Sequence, residues 1–392
     1  VEVLPYGRHH IDENDIQAVV DCLRSGSLTQ GPKILEFEKA IASYVGSRYA
    51  VAVSSGTAAL HLASLIAGAG PDFAIVTSPV TFVASSNAAF YVGARPVFSD
   101  VDFDTVNLSP EVLAETLNQN QDIKVAIPVH IAGLPCDMSA IEKICTKADV
   151  VIIEDAAQAL GASYPDGGKV GCCKHSLMTT FSFHPVKSMT TGEGGLITTN
   201  DKQVYDRLLR LRSHGILKND DAFQNLDYAQ TDGISNPWYY EMQELGFHYR
   251  ITDIQCALGL SQLTKLNKFV EYRRHLANRY DQEFSNVNWI SPAQQGGREI
   301  SAHHLYLVKI NFEGLGFSRA KLMNLLREKG IITQVHHIPV PMQPYYQNQG
   351  FTMDRFPNAQ QYYQQALSIP LYYDLTEQQQ DYVISVLTEL LS

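Results

Sequence analysis

Lys187 follows a short apolar stretch and opens into a glycine-rich loop, in Ser182-Phe-His-Pro-Val-Lys187-Ser-Met-Thr-Thr-Gly-Glu-Gly-Gly195. Upstream, Glu154-Asp155-Ala-Ala-Gln158 closes another apolar run, Val150-Val-Ile-Ile. A lysine after a strand is usually a solvated surface group, and an acid ahead of Ala156-Ala157 makes a good helix N-cap. Taken together, the two residues suit a different chemistry. A free amine attacks an aldehyde and forms a Schiff base. An acid beside a pyridine nitrogen keeps it protonated, so that the ring draws electrons from the neighbouring carbon. Pyridoxal phosphate needs that pair. With an ordinary pKa of ~10.4, only about one lysine in ~2500 is neutral at pH 7. The reading therefore requires burial or nearby positive charge to lower the value. Once freed by the incoming amine, Lys187 carries a proton between cofactor and substrate carbon.

Other residues have types that fit the rest of such a cofactor. Ser54-Ser-Gly56-Thr57-Ala58-Ala59 joins a strand to a helix, and amides at a helix N-terminus attract a phosphate dianion. A plain capped helix start competes with that reading. Gly56 permits close backbone approach, and Ser182 offers the phosphate a hydroxyl. Gln158, one turn beyond Asp155, is placed to donate to the phenolic oxygen. Phe82, in Pro79-Val-Thr-Phe82, is placed to stack on the ring, although an aromatic at a helix start is more often core. The histidine pairs His9-His10, His303-His304 and His336-His337 would point apart on strands, so no metal site is expected. Gly192-Glu193-Gly194-Gly195 enters a strand rather than a helix and is no dinucleotide fingerprint.

These groups must be gathered at one rim. Strands are predicted at Tyr49–Ser54, Phe73–Ser78, Arg95–Phe98, Ile123–Val129, Val150–Glu154, Ser176–Phe183 and Gly195–Thr199. Helices lie between them, at Thr57–Ala67, Val80–Tyr91 and near 110–119, 138–147 and 201–212. The alternation predicts an α/β fold with a mainly parallel sheet covered on both faces. Active groups in such sheets lie beyond the strands' carboxyl ends, and Ser54, Ser78, Asp155 and Lys187 all fall there. Helices are also predicted over 12–24, with Ile16, Val19, Val20 and Leu23 on one face, and over about 33–45. Thr252–Phe284 reads as one long helix with Ile254, Leu258, Leu260, Leu263 and Leu266 largely buried. Strands at Leu305–Asn311 and Ile332–His336 and helices at Arg319–Lys329 and Glu377–Leu391 suggest a smaller C-terminal α/β domain. The division expected is 1–250 and 251–392. The polar segment 218–242 reads as a lid, a loop or an interface arm.

Composition excludes several classes. The net charge is −11 and there is no basic run, which argues against nucleic-acid binding. No stretch is long and apolar enough to span a bilayer, and the N-terminal residues lack a signal-peptide core. The six cysteines contain no Cys-x-x-Cys pair, as expected for inert thiols in a reducing, cytoplasmic setting.

The motifs together resemble the DegT/StrS-type nucleotide-sugar aminotransferases, a branch of the fold-type I pyridoxal phosphate enzymes. The resemblance runs nearly end to end. It takes in Gly26-Ser-Leu-Thr-Gln-Gly-Pro32, Ser55-Gly-Thr-Ala-Ala-Leu60, the Asp155 and Lys187 motifs, Arg250-Ile-Thr-Asp253-Ile-Gln and Leu367-Ser-Ile-Pro-Leu-Tyr372. The Lys187 loop, Arg212-Ser-His-Gly-Ile-Leu-Lys218, Gly246-Phe-His-Tyr-Arg250 and Ile332-Thr-Gln-Val-His336 look most like the transaminases of pseudaminic acid biosynthesis. That branch implies transfer of an amino group from L-glutamate to C4 of a UDP-linked 4-keto-6-deoxy-N-acetyl-hexose. The family implies a homodimer with shared sites. Many relatives carry Asn where Arg250 stands, touching the partner's phosphate, so Arg250 would take that role as a cation. The resemblance also implies that Tyr6, Thr29, Gln30, His184, His304, Tyr306 and His337 line the sugar-nucleotide site. Some members replace the lysine with His and dehydrate; this chain keeps Lys187. Alternatives are the same chemistry on a GDP- or dTDP-linked keto-sugar, or a non-catalytic sensor on the same fold.

Overall fold

The computed structural model describes residues 3–218, 222–285 and 287–391. Its centre is a seven-stranded sheet of β1 (Tyr49–Val53), β2 (Ala74–Thr77), β3 (Arg95–Phe98), β4 (Ile123–Ile127), β5 (Val151–Asp155), β6 (Met178–Ser182) and β7 (Gly195–Thr199). The order across the sheet is β1-β7-β6-β5-β4-β2-β3. Strands β6, β5, β4, β2 and β3 pair in parallel. Strand β7 runs antiparallel to β1 and β6. Helices cover both faces, so alternate residues of one strand feed two cores. Ala50 and Ala52 of β1 pack into one cluster and Val51 and Val53 into the other. Burial on both faces explains why these strands read as continuous apolar runs.

A three-stranded antiparallel sheet (Ile290–Pro292, Tyr306–Ile310, Ala366–Ile369) forms a second unit, packed by Leu266–Phe284, Arg319–Glu328 and Glu377–Leu391. We propose a division at 250/251, across which the apolar clusters interleave. Leu4 packs in the second unit, while Cys256, Leu266 and Val270 belong to the first.

Several expectations need correction. The pattern over Thr252–Phe284 is two helices, Asp253–Leu263 and Leu266–Phe284. At the break, Lys265 Nζ reaches Asp12 at 2.8 Å and the buried Asp15 at 2.6 Å. Asp15 also accepts from Ser261 Oγ and Gln262 Nε2. Of the five aliphatic residues expected to be largely buried there, Leu266 is buried, Leu260 and Leu263 are half-buried against the first core, and Ile254 and Leu258 are half-buried. The most deeply buried positions of the first helix include Cys256, Ala257 and Gly259. A Cβ at Gly259 would stand 2.7 Å from the Phe37 ring, so the helix sits too close to its neighbour for a larger side chain. The face of Glu13–Arg24 that carries Ile16 and Leu23 looks outward, at 48% and 53% exposure, while Asp15 and Cys22 are buried. Ile332–His336 is not a strand. Within it only Gln334 is bridged, to Ser368, and the bridge Leu4↔Ile331 lies just ahead of it. Segment 222–245 is folded around Glu241, which accepts from Gln224 N, Asn225 N, Tyr239 OH and Gln243 Nε2; residues 219–221 lie outside the described residues. Among the described residues no helix is long and apolar enough to cross a membrane.

Candidate active site

The loop between β6 and β7 presents Lys187. It is closed by Phe183 N–H to the Gly194 carbonyl (2.9 Å) and Thr191 N–H to the Phe183 carbonyl (3.1 Å). Thr190 Oγ1 adds a bond to the same Phe183 carbonyl at 2.9 Å. Inside it, Lys187 N–H donates to the His184 carbonyl at 2.9 Å, making a tight turn. Burial lowers the amine's pKa to about 8, with the Asp155 charge pulling the other way. At pH 7 about one amine in ten is then neutral, roughly two hundredfold more than for an ordinary lysine.

Asp155 is the last residue of β5 and pairs with Thr180 of β6, the strand that leads to Lys187. Its carboxylate is buried. Ser85 Oγ donates to Oδ2 at 2.6 Å and the Ala157 amide to Oδ1 at 3.1 Å. Thr81 Oγ1 lies 2.7 Å from Ser85 Oγ and extends the chain. Gln158 Oε1 accepts from the Ala132 amide at 2.6 Å, which fixes which end of its amide is nitrogen. Its Nε2 lies 3.3 Å from His337 Nε2, leaving a second N–H for a ligand oxygen. Phe82 is not core. It is 61% exposed at the start of helix Val83–Tyr91, with its ring centroid 6.4 Å from that of His337.

The helix Gly56–Ile66 begins beside the end of β6. A Cβ on Gly56 would stand 2.9 Å from Ser182 Cβ, and one on Gly195 would collide with the Ser55 carbonyl. Only glycines allow this approach. Ser55 Oγ caps the Ala58 amide at 3.1 Å. The amides of Gly56 and Thr57, in the first turn, have no intrahelical acceptor and share this corner with Ser182. Arg250 joins from outside, its backbone bridged to Val53. Its side chain lines a cavity of about 290 Å³ with Gln30, Glu38, Arg212 and Ser213. Thr29 is bridged to Thr252 and, like Gln30, is exposed. Gln30 thus groups with Arg250, and neither Thr29 nor Lys187 lines that cavity.

Around the lysine stand three imidazoles. Burial holds the pKa of His304 and His337 well below the usual value and that of His336 at about 4; the positive charge of Lys187 acts in the same direction on all three. They are neutral at pH 7. Tyr6 stands 5.1 Å from His336, centroid to centroid. His184 is exposed on the lysine loop. The structure does not bring Tyr306 here. It is buried in the small sheet, its hydroxyl donating to Asp281 Oδ1 at 2.6 Å and its ring against Tyr280. Sequence reasoning missed Ser85 and His336. Serine at a helix start carries no signal of its own, and the adjacent histidines were expected to diverge on a strand that does not form.

The residues fit pyridoxal phosphate. Gly56 and Ser182 leave a cradle that a Cβ would fill. His304 Nδ1 is buried with no protein partner among the described residues, and a carboxylate lies next to a lysine of lowered basicity. The profile of the DegT/DnrJ/EryC1/StrS aminotransferase family matches residues 9–388. The spore coat polysaccharide biosynthesis protein SpsC of Bacillus subtilis is 37% identical, over 99% of this chain and 97% of its own. Among solved structures, Helicobacter pylori PseC, an aminotransferase involved in the biosynthesis of pseudaminic acid, superposes with a TM-score of 0.88. It is 28% identical and is covered over 99% of its length by 100% of this chain. Spr1654 of Streptococcus pneumoniae in its PLP form gives 0.87 at 29% identity, with both chains fully covered. The chain belongs to the DegT/DnrJ/EryC1/StrS aminotransferase family and is a pyridoxal phosphate-dependent nucleotide-sugar aminotransferase.

Proposed function

We propose that the protein moves an amino group from L-glutamate to C4 of a UDP-linked 4-keto-6-deoxy-N-acetyl-hexose, as in pseudaminic acid biosynthesis, and that it does so as a cytoplasmic homodimer with shared sites. The observation that carries the chemistry is the Lys187 amine, shifted toward neutrality by burial beside Asp155. When bound, pyridoxal phosphate supplies an electron sink next to the carbon that loses its proton. The chain's residues do the rest. Lys187 Nζ takes and returns the proton. Asp155, held by Ser85 and Ala157, keeps the ring nitrogen protonated, and Gln158 donates to the phenolic oxygen. Gly56, Thr57, Ala58 and Ser182 hold the phosphate, Arg250 adds charge to it, and Phe82 covers the ring. In this reading Tyr6, Thr29, Gln30, His184, His304 and His337 face the sugar nucleotide.

Homodimer formation is supported by outward-facing apolar side chains on the first helices and on the folded segment near 230, such as Ile16, Leu23, Leu35 and Trp238. The substrate rests on the likeness to PseC. A second reading, amination of a different nucleotide keto-sugar, is favoured by the higher identity to SpsC. Mass spectrometry of products from UDP-, dTDP- and GDP-linked 4-keto sugars with glutamate separates them. A 4-amino product from the UDP sugar alone supports the first, and turnover confined to another nucleotide supports the second.

A further inference from the structure

Glu154 precedes Asp155 on β5, so its side chain points to the opposite face of the sheet. It is fully buried, yet nothing in the chemistry above uses it. Its oxygens accept four bonds. Tyr164 OH and His130 Nε2 reach Oε2 at 2.6 and 2.8 Å; Ser176 Oγ and Thr179 Oγ1 reach Oε1 at 2.6 and 3.1 Å. His130 is fixed in turn. Its Nδ1 accepts from the Cys136 amide at 3.1 Å, so Nε2 carries the proton given to Glu154. The same residue's backbone grips the catalytic neighbour. His130 N–H donates to the Asp155 carbonyl at 3.1 Å, and Asp155 N–H donates to the Pro128 carbonyl at 2.9 Å.

We propose that Glu154 and His130 form a clamp that sets the position of the Asp155 carboxylate against the cofactor ring. His130 holds two successive residues of β5, Asp155 by its backbone and Glu154 by its ring. Strand β5 ends there, and beyond it the Ala156 amide makes one more bond, to the Thr180 carbonyl at 2.9 Å. Without the ring-to-carboxylate bond, the His130 side of the strand end is held by the backbone bonds to His130 and Pro128 alone, while Thr180 still pairs with Asp155 on the other side, so the end can tilt about its pairing with β6. A shift of about 1 Å at a catalytic group is enough to cost on the order of a hundredfold. Glu154 and His130 are positioning residues: they touch neither cofactor nor substrate in the proposed arrangement and act through Asp155.

The inference rests on the functional reading for its consequence but not for its geometry, and the test separates the two. Four variants are compared with the parent: Glu154→Gln, His130→Asn, His130→Gln and Tyr164→Phe. Asn at 130 keeps an acceptor for the Cys136 amide but loses the reach to Glu154. Gln at 130 keeps a donor near the Nε2 position. Tyr164→Phe removes one donor to Glu154 that has no link to Asp155. Lys187 and Asp155, the charged groups facing the ring, are unchanged throughout. In cofactor-free protein, amide exchange at Asp155 and His130 should quicken in Glu154→Gln and His130→Asn while β1 to β3 stay protected. After loading, cofactor affinity should fall about tenfold or more in both. The pH midpoint of the bound cofactor's visible band should move by about half a unit or more, since its protonation depends on the carboxylate opposite. His130→Gln should restore all three readouts, and Tyr164→Phe should leave the midpoint in place. If Glu154→Gln does not fold, the contrast between the two His130 variants carries the test. An unmoved midpoint and unchanged exchange, with only a lowered melting temperature, would overturn the clamp. Failure of the parent to capture pyridoxal phosphate would instead overturn the functional reading, and the exchange comparison would still decide the clamp.

Discussion

At the scale of single residues, the site depends on what burial does to a lysine. The Lys187 pKa is lowered to about 8. Below that value each unit of pH removes about ninety per cent of the reactive free base; above it the amine is almost all neutral. Capture of pyridoxal phosphate by the cofactor-free protein should therefore quicken about tenfold per unit up to pH 8 and then level off. Stopped-flow absorbance checks this, and a rate still climbing in proportion at pH 10 would contradict it. Ser85 is the second residue that matters. Its hydroxyl bonds the Asp155 carboxylate at 2.6 Å in a buried site, an interaction worth about 2 kcal/mol. Ser85→Ala should lower kcat roughly ten- to thirtyfold with little change in KM, and steady-state kinetics test it. Lys187, Asp155, Gln158, Gly56 and Ser182 were legible in the sequence because each sits at a strand end or helix start in a motif. Ser85 and His336 were not, because their relevance comes from a contact across the fold. Phe82 went against the usual preference of an aromatic for the core, because the helix it opens starts at the rim and leaves its ring outside.

At the scale of elements, the strand alternation was legible almost to the residue because burial on both faces leaves long apolar runs between glycine-rich turns. What was lost were the places where one side chain interrupts a pattern. The long helix breaks at Thr264-Lys265, where Lys265 reaches two carboxylates. The strand at Ile332–His336 dissolves because Gln334 alone pairs with Ser368. Elements approach closely at Gly195, where a Cβ would run into the Ser55 backbone, which has no rotamer with which to yield. Gly195→Ala should cost roughly 3 kcal/mol or more of stability and loosen the phosphate corner. Chemical denaturation together with cofactor affinity measures both effects. A variant as stable as the parent would show that β7 and the Gly56 helix can move apart freely.

At the scale of the whole molecule, the two units lend each other parts: Leu4 packs in the small unit, and helix Asp253–Leu263 packs against the first two helices of the chain. The same helices turn apolar residues outward, including Ile16, Leu23 and Leu35. Amphipathic periodicity located that face correctly but not its direction, since a pattern cannot say whether a core or a second copy covers it. We predict that Ile16→Asp combined with Leu23→Asp yields monomers in sedimentation velocity and lowers activity with the fold retained. A dimer of unchanged affinity would move the interface elsewhere. The proposed chemistry as a whole turns on a covalent link at one amine. Borohydride reduction of the protein loaded with pyridoxal phosphate, followed by peptide mass spectrometry, should place a single pyridoxyl group on Lys187. A label on a different lysine, or none, would contradict it.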